Sequence, residues 1–536
     1  MTDLWNEAQR LLAYGGQHRA LLRPLYRGEE GVFPRFAVRA EGCTIVDERG
    51  REFIDWVGAW GPVLLGYGHP AVENAIRAQL RAGPTLSLMH PIEVEVARLL
   101  TETVPGAEMV AFGKNGSDVM TAAVRVARAA TGREMILQHG FHGFHDWYTC
   151  LYENVAGTPD VLRSLIEPFP YNDVDALAAL FERFSGRVAA VVMEPVNVEM
   201  PAPGYLEAVR ALAHRHGALL VFDEMVTGFR LANGGAQQLF GVECDLACLG
   251  KALGNGMPVA AITGRRELLR HLPHVAWGMT FRGETLSLAA ARATLETIRA
   301  EPVAEHLATT GRRVRAAFAA LCEDRGVDAA LVGPDARMTF TFGGRQGIAG
   351  NRLLTLFLQE CAVRGVLTNG TLLPSYAHDD RAVERTLEAF AGAFDALAAA
   401  GPGGAAGRVL AARGFVDAMI ERDGELAVKG WLLVDDRCAD AIEFVAPEGA
   451  SVTAERVERP GVARAHPDLP GVEGSGYAVH LPANRFRRHG AWEFTLRARH
   501  ADRVVFECSV GRRVRDDGAE PALPAPYDVT GGSLYV

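Results

Sequence analysis

Val188-Ala189-Ala190-Val191-Val192-Met193 and Ala218-Leu219-Leu220-Val221-Phe222 are two short, wholly apolar segments of the chain. Apolar runs of this length predict strands that are buried on both faces. Between them, residues Tyr205 to His216 carry apolar side chains at the helical period, which predicts a helix. Strand, helix and strand in this order form a βαβ unit, whose two strands pair in parallel. The stretch therefore predicts an α/β fold with a mostly parallel sheet.

A carboxylate and an amine follow the second of these strands. Asp223 and Glu224 come directly after Phe222, and Lys251 precedes the glycine-rich turn Gly254-Asn255-Gly256. Ligands of α/β proteins bind at the carboxyl ends of strands, where such side chains would meet. Pyridoxal phosphate (PLP) needs an amine that forms a Schiff base and a carboxylate that keeps its pyridine nitrogen protonated. Each residue alone also fits a structural role, the lysine as a solvated helix end and the acidic pair as a helix cap.

Length and composition limit the classes of function. The chain has 536 residues, enough for two to four domains, and 49% of them are hydrophobic. The net charge of −10 argues against nucleic acid and anionic membrane as partners. The sequence lacks an apolar run of about 18 residues, and the start Met1–Glu7 lacks a secretion signal pattern. The eight cysteines have no zinc-site spacing, and together these features predict a cytoplasmic protein.

A change of pattern divides the chain after residue 400. Residues 401–407, Gly-Pro-Gly-Gly-Ala-Ala-Gly, have the composition of a flexible linker. Short apolar alternating segments follow it, which predicts that residues 408–536 form a separate β-sandwich. The predicted strands are Glu425 to Val434, Ala441 to Val445, Ser451 to Val457, Tyr477 to Leu481, Trp492 to Arg497 and Arg503 to Val510.

A small-residue loop before an amphipathic helix predicts a phosphate site. The loop is Gly113-Lys114-Asn115-Gly116-Ser117-Asp118, and Val119, Ala122, Ala123, Val126, Ala127 and Ala130 then follow the helical period. Free N–H groups and the helix dipole at such a start attract a phosphate. A capped helix start without a ligand has the same pattern. The interpretation of this loop as a phosphate site is therefore strengthened only by the presence of Lys251.

The segment Phe141-His142-Gly143-Phe144-His145-Asp146-Trp147 is dense in rings. An aromatic ring offers a flat face to a planar cofactor, although these rings also suit core packing. His142 and His145 are metal-ligand types, but a third ligand at suitable spacing is missing, and we predict that no metal is bound.

Residues from about 33 to 395 resemble the class III, fold-type I PLP-dependent aminotransferases, and within them the glutamate-1-semialdehyde aminomutases most. The motifs that carry the resemblance are Val57–Pro62, Gly66–Pro70, Val221–Arg230, Gly234–Gln237, Leu249–Lys251 and Gly254–Val259. The resemblance implies an N-terminal segment over 1–45 and a large PLP-binding domain over 46–300, a mostly parallel sheet with helices on both faces. It also implies a small α+β domain over 301–400.

The roles that the family assigns carry over to single positions. By resemblance, Lys251 is the Schiff-base lysine and Asp223 the partner of the pyridine nitrogen. The other cofactor-binding positions that the resemblance implies are Gly116 and Ser117 for the phosphate, Phe141 for stacking, His142, Glu194, and Thr280 reaching the phosphate of the partner subunit. A homodimer follows from Thr280, and Trp60 matches a substrate-pocket tryptophan.

Several departures weaken the likeness to the aminomutases. Their Ser-Pro-Val-Arg motif is replaced by Arg19–Leu25, the loop after Thr280 reads Phe281-Arg282-Gly283-Glu284-Thr285, and the segment from Phe141 to Pro170 is shorter. Gly430-Trp431 and Arg464–Asp468 resemble modules attached to glycan-biosynthesis proteins, which suggests a carbohydrate or protein partner for the β-sandwich.

We therefore expect an aminotransferase that moves an amino group from an amino-acid donor to a small keto or aldehyde acceptor. An intramolecular aminomutase or an amino-acid racemase would use the same residues. A non-catalytic binding scaffold is a further alternative, against which the intact Lys251 and Asp223 argue.

Overall fold

The structure is a computed structural model, and it describes most of the chain. The described residues are a few positions before residue 33 and the ranges 33–152, 157–343, 350–399, 412–422, 425–434, 437–446, 448–458, 472–488, 491–500 and 503–512. The predicted linker 401–407 and the segments Arg19–Leu25 and Arg464–Asp468 lie outside the described residues.

A seven-stranded sheet forms the centre of the large domain. In spatial order its strands are Met109–Gly113, Ala260–Gly264, Leu246–Leu249, Leu219–Asp223, Val188–Met193, Met135–His139 and Ile166–Pro168. The last five pair in parallel, whereas Ala260–Gly264 is antiparallel to both of its neighbours. Met109–Gly113 therefore points in the same direction as the parallel strands. The predicted mostly parallel sheet is confirmed.

Helices cover both faces of this sheet, which explains the wholly apolar strands. Val221 packs into one hydrophobic cluster with the helix Gly116–Thr131, whereas Leu220 and Phe222 pack into another with Val174–Arg183 and Tyr205–Arg215. The remaining helices up to residue 300 are Pro70–Ala82, Pro91–Thr103, Asp146–Thr149, Gly235–Phe240, Arg266–Leu269 and Thr285–Ala300.

The small domain combines helices with short strands. Its helices are Val303–Arg325, Gly350–Val363 and Asp380–Ala399, and its strands are Ala329–Val332, Met338–Phe342, Val366–Leu367 and Thr371–Leu372. The strands Ala37–Glu41, Thr44–Asp47 and Glu52–Asp55 form one sheet with Val366–Leu367. Trp56 packs into the hydrophobic cluster of the small domain. The predicted boundary at residue 46 thus runs through a sheet that the small domain shares.

The described part of the C-terminal region contains two antiparallel five-stranded sheets around one hydrophobic cluster. Phe444 of one sheet contacts Tyr477 of the other, with ring centroids 5.7 Å apart. The strands are Ala412–Arg422, Glu425–Val434, Arg437–Cys438, Ala441–Val445, Ser451–Thr453, Glu455–Val457, Gly476–Pro482, Arg487–Arg488, Ala491–His500 and Arg503–Arg512, with a short helix Ala483–Phe486. This arrangement confirms the β-sandwich. Sequence reasoning missed Ala412–Arg422, because charged residues interrupt its apolar alternation.

No helix among the described residues is long and apolar enough to cross a membrane.

Candidate active site

A cavity of about 320 Å³ opens at the carboxyl edge of the seven-stranded sheet. The walls of the cavity are formed at and after the ends of strands that point in the same direction. These strands end at Gly113, His139, Met193, Asp223 and Leu249. The cavity is lined by Pro62, Lys114, Asn115, Gly116, Ser117, Met120, Phe141, His142, Gly143, Glu194, Asp223, Met225, Val226, Thr227, Lys251, Gly256, Met257, Pro258 and Val259. The fold thus brings together seven of the nine predicted site residues, since Trp60 and Thr280 are not part of this wall. A cavity of this size suits a small cofactor and substrate.

Lys251 enters the cavity from a turn with unusual backbone geometry. It follows the strand Leu246–Leu249 and adopts φ +45°, a left-handed conformation that is strained for a lysine. The side chain is half-buried, and a Cβ placed on Gly61 would lie 3.8 Å from its Cδ. Burial lowers the pKa of Lys251 below 10.5, against the opposing attraction of Asp223 and Glu194. The turn therefore places an amine with weakened basicity in the cavity.

Asp223 and Glu224 are adjacent in sequence but have different roles. Asp223 is 3% exposed and lines the cavity, where its Oδ1 accepts a hydrogen bond of 3.0 Å from the Met225 N–H. Glu224 points to the other side and accepts from the N–H groups of Ala236 and Gln237, at the start of the helix Gly235–Phe240. Asp223 therefore lies where the predicted cofactor role needs it, whereas the helix-cap alternative applies to Glu224.

His142 supports Asp223 from behind. Its Nδ1 forms a hydrogen bond of 2.9 Å with Asp223 Oδ2, and its Nε2 donates to the carbonyl oxygen of His139 at 3.1 Å. The His139 carbonyl oxygen can only accept, so Nε2 carries the proton of that hydrogen bond. Only 1% of His142 is exposed. The pair therefore holds a fixed carboxylate toward the cavity.

The loop that we predict to bind phosphate, here called the phosphate loop, leads directly into a helix. Gly116 and Ser117 are the first residues of the helix Gly116–Thr131, where backbone N–H groups have no partner within the helix. Ser117 Oγ accepts from the Phe144 N–H at 3.2 Å. Gly143 adopts φ +101°, and a Cβ there would overlap Ser117 Oγ. A side chain at Gly143 would therefore displace the serine hydroxyl.

Phe141 and Glu194 form the neighbouring wall. The Phe141 N–H donates to Glu194 Oε1 at 2.9 Å, and the Phe141 ring meets Tyr148 edge to face. Burial raises the pKa of Glu194, and Arg337 opposes that shift. Met225 lies between the phosphate loop and Lys251, since Cβ atoms placed on Gly116 and Gly250 would come within 3.0 and 2.8 Å of its sulfur. Sequence reasoning missed Met225, because an apolar residue after a strand carries no chemical signal.

Trp60 and Thr280 lie outside the cavity wall. Trp60 is half-buried in the turn Gly58–Trp60, next to the Gly61 that borders Lys251. Thr280 is exposed. Hydrogen bonds on either side of Thr280 connect its loop to residues at the start of the helix Gly116–Thr131. Trp277 Nε1 donates to Asp118 O at 3.1 Å, and Lys114 Nζ donates to Glu284 at 2.8 Å.

His145 does not join His142 in a metal site. Its Nδ1 lies 2.7 Å from Thr121 Oγ1, and in the part of the chain that the structure describes no three metal-ligand side chains converge.

The residues present fit PLP on structural grounds. A helix start with free N–H groups offers a phosphate site, a buried carboxylate is available for a ring nitrogen, and an amine with lowered pKa faces the same cavity. The family model "Aminotransferase class-III" matches residues 25–327. The chain belongs to the class III aminotransferase family. The predicted family and the predicted cofactor are therefore confirmed.

Relatives of this class III enzyme carry different names. The chain is 40% identical over 298 residues to glutamate-1-semialdehyde 2,1-aminomutase of Syntrophobacter fumaroxidans, covering 52% of this chain and 68% of that protein. It is 34% identical over 399 residues to 3-aminobutyryl-CoA aminotransferase of Cloacimonas acidaminovorans, covering 72% and 94%. The PLP form of the FumI protein of Sphingopyxis sp. MTA144 has a similar structure, with TM-score 0.69, 30% identity and coverage of 74% and 96%. These proteins define a PLP-dependent enzyme family and leave the reaction to be decided.

Proposed function

We propose that this enzyme is an aminotransferase that moves an amino group from an amino-acid donor to a small keto or aldehyde acceptor. The observation that carries the proposal is the placement of Lys251 and Asp223 in one cavity with the phosphate loop. A binding scaffold would have no use for a strained, half-buried lysine with a lowered pKa.

PLP, when bound, withdraws electrons from the substrate carbon and thereby makes its proton removable. Gly116 and Ser117 bind the phosphate through the N–H groups of the helix start. Asp223 holds the proton of the ring nitrogen, and His142 fixes the orientation of Asp223. Phe141 and Met225, which both line the cavity, exclude water.

Lys251 serves as the general base. Its Nζ would accept the proton from the substrate carbon and give it back later in the half-reaction, while the cofactor, when bound, would supply the electron sink. The lowered pKa of Lys251 increases the fraction of neutral amine near pH 7, and the glycine turn that follows lets the side chain move. The same base would also serve an aminomutase or a racemase, so an experiment must separate these reactions.

A two-step absorbance experiment makes this distinction. A single amino donor should bleach the visible band of the bound cofactor, and only a separate carbonyl compound should restore it. An aminomutase would convert one amino aldehyde completely without a second substrate. A racemase would invert its substrate and leave the band in place, and either result would contradict the proposal.

We also propose that the active enzyme is a homodimer in which Thr280 completes the site of the partner subunit. Thr280 is exposed beside Phe281, which is 56% exposed, and the adjoining segment carries the exposed apolar residues Leu86, Leu88 and Met89. The Thr285 N–H donates to the Pro84 carbonyl at 2.9 Å, so the loop and this segment are neighbours. Sedimentation velocity should give a dimer at assay concentration, and a fully active monomer would refute this assembly.

The β-sandwich is proposed to serve recognition or localisation, with a carbohydrate-linked substrate or a partner enzyme as its ligand. The residues that line the cavity all come from the first 300 positions, which supports a separate role for the sandwich.

A further inference from the structure

Two buried arginines lie close to the cavity, and they differ in how they are satisfied. Arg230, 1% exposed, donates through Nη1 to the Pro374 carbonyl at 2.7 Å and through Nη2 to the Gly61 carbonyl at 3.1 Å. A third bond of 3.3 Å joins its Nη1 to the Ala336 carbonyl. Arg230 therefore has a structural explanation, since it ties three backbone segments together through Nη1 and Nη2, and among the described residues only its Nε is left without a partner.

Arg337 has no such explanation. It is 3% exposed, and its Nη1 atom has no hydrogen-bond partner. Among the described residues, no carboxylate forms an ion pair with Arg337, although Glu194 acts on it electrostatically. A buried guanidinium without partners is costly and is retained where a ligand completes it.

Arg337 lies behind the residues that line the cavity, next to elements that carry them. The turn Gly333–Arg337 packs on the loop after Glu194, because a Cβ placed on Gly333 would lie 3.1 Å from the Val198 carbonyl. Arg230 bridges the carbonyl of the preceding Ala336 to Gly61, which borders the Lys251 side chain. The positive charge of Arg337 acts on two residues of the cavity wall, because it contributes a lowering of the pKa of both Glu194 and Lys251.

We infer that Arg337 binds the carboxylate of the amino donor, next to the amine that reacts at Lys251. The inference rests on the proposed function and adds a specificity-determining residue to it. A guanidinium presents two parallel N–H groups that match a carboxylate. Because Arg337 is nearly completely buried, a donor without the negative charge would leave the guanidinium without an acceptor, so the interaction discriminates strongly against such donors.

The segment Arg19–Leu25 does not match the arginine motif of the aminomutases. Arg337 would supply from the small domain the positive charge that such a motif provides.

The test compares each amino acid with the amine that lacks its carboxylate. The half-reaction of the full-length holoenzyme is measured with β-alanine and L-alanine, and with ethylamine, which is the amine that remains when either amino acid loses its carboxylate. Arg337→Met should lower kcat/KM for the better amino acid by about 30-fold or more, as removal of one partner of a buried charge pair does. The matched amine should change by less than about threefold, and Arg337→Lys should recover part of the loss.

A second arm needs no turnover. Calorimetric titration of the holoenzyme with propionate should show binding to the wild type and at least tenfold weaker binding to Arg337→Met. Arg230→Met is the matched control, because its loss of three carbonyl contacts should lower the melting temperature and affect amino acids and amines alike.

The outcomes separate the two proposals. Equal losses for amino acids and amines in Arg337→Met, or unchanged propionate binding, would overturn the assignment of Arg337. A change in the cofactor absorption of Arg337→Met without donor selectivity would assign the residue to the cofactor and also overturn it. If none of the amino donors bleaches the visible band of the wild-type enzyme, the aminotransferase proposal fails. Propionate binding then still decides the role of Arg337.

Discussion

Replacement of Asp223 by asparagine removes one negative charge and leaves the local geometry satisfied. The carbonyl oxygen of the new side chain still accepts from the Met225 N–H, which now bonds to Oδ1 at 3.0 Å. The new amide group faces His142 Nδ1, which can accept from it while Nε2 keeps a proton for the His139 carbonyl. We therefore expect Asp223→Asn to fold normally and to bind cofactor.

The rate should fall by about three orders of magnitude. The attraction between a buried carboxylate and a unit positive charge about 4 Å away amounts to about 4 kcal/mol at an effective dielectric constant near 20. Since about 1.4 kcal/mol corresponds to a factor of ten, this loss amounts to about 10³ in the proton-transfer step. The charge on the ring nitrogen acts chiefly in the transition state, so kcat should carry the effect.

The adjacent Glu224 provides a matched control. It is buried to the same degree, but its oxygens accept from the Ala236 and Gln237 N–H groups. Glu224→Gln must leave one backbone N–H without an acceptor, at a cost of about 1 to 3 kcal/mol. We expect Glu224→Gln to lower the melting temperature and to change kcat by less than about tenfold.

Single-turnover absorbance with a saturating amino donor measures the rate, and thermal unfolding of the apoprotein measures the stability. The reasoning is refuted if Asp223→Asn retains a rate within about threefold of the wild type, since even one hydrogen bond aimed at the transition state is worth more. It is also refuted if Asp223→Asn destabilises the protein more than Glu224→Gln does.

Three further changes test the cavity and the domain division. Gly143→Ala should weaken cofactor binding at least tenfold, because its Cβ would overlap Ser117 Oγ, whereas Gly157→Ala, with φ +90° and no atom within 4 Å, should leave affinity unchanged in an equilibrium titration. Lys251→Met should abolish turnover and borohydride labelling while raising the melting temperature of the apoprotein at pH 7. Because burial lowers the pKa of Lys251, folding of the wild type opposes protonation of this amine at every pH below its unfolded pKa of 10.5. The gain in melting temperature should therefore shrink as pH rises toward 10.5, and a gain that does not depend on pH would contradict this explanation. Truncation after Ala400 should leave a soluble dimer with normal half-reaction rates, and aggregation or loss of cofactor would instead make the β-sandwich part of the catalytic fold.

The strands and the motif residues can be predicted from the sequence because their signals are local. The apolar run predicts Val188–Met193 with the bounds that the structure gives, and Leu219–Asp223 extends the predicted strand to include its carboxylate. Lys251, Asp223, Gly116 and Ser117 follow apolar strands or precede a periodic helix, and those patterns depend on neighbours in the chain. The α/β sheet, the cofactor class and the β-sandwich therefore follow from consecutive residues, through their periodicity and their strand-end chemistry.

Other features depend on contacts between distant segments and have no local signal. No pattern in the sequence divides Asp223 from Glu224, since the division is made by His142 on one side and the start of Gly235–Phe240 on the other. Nor does any pattern single out Arg337 from other arginines, because its burial without a partner depends on how the small domain packs on the loop after Glu194. Which buried charges the fold satisfies, and which one faces the substrate, is set only when segments far apart in the chain come into contact.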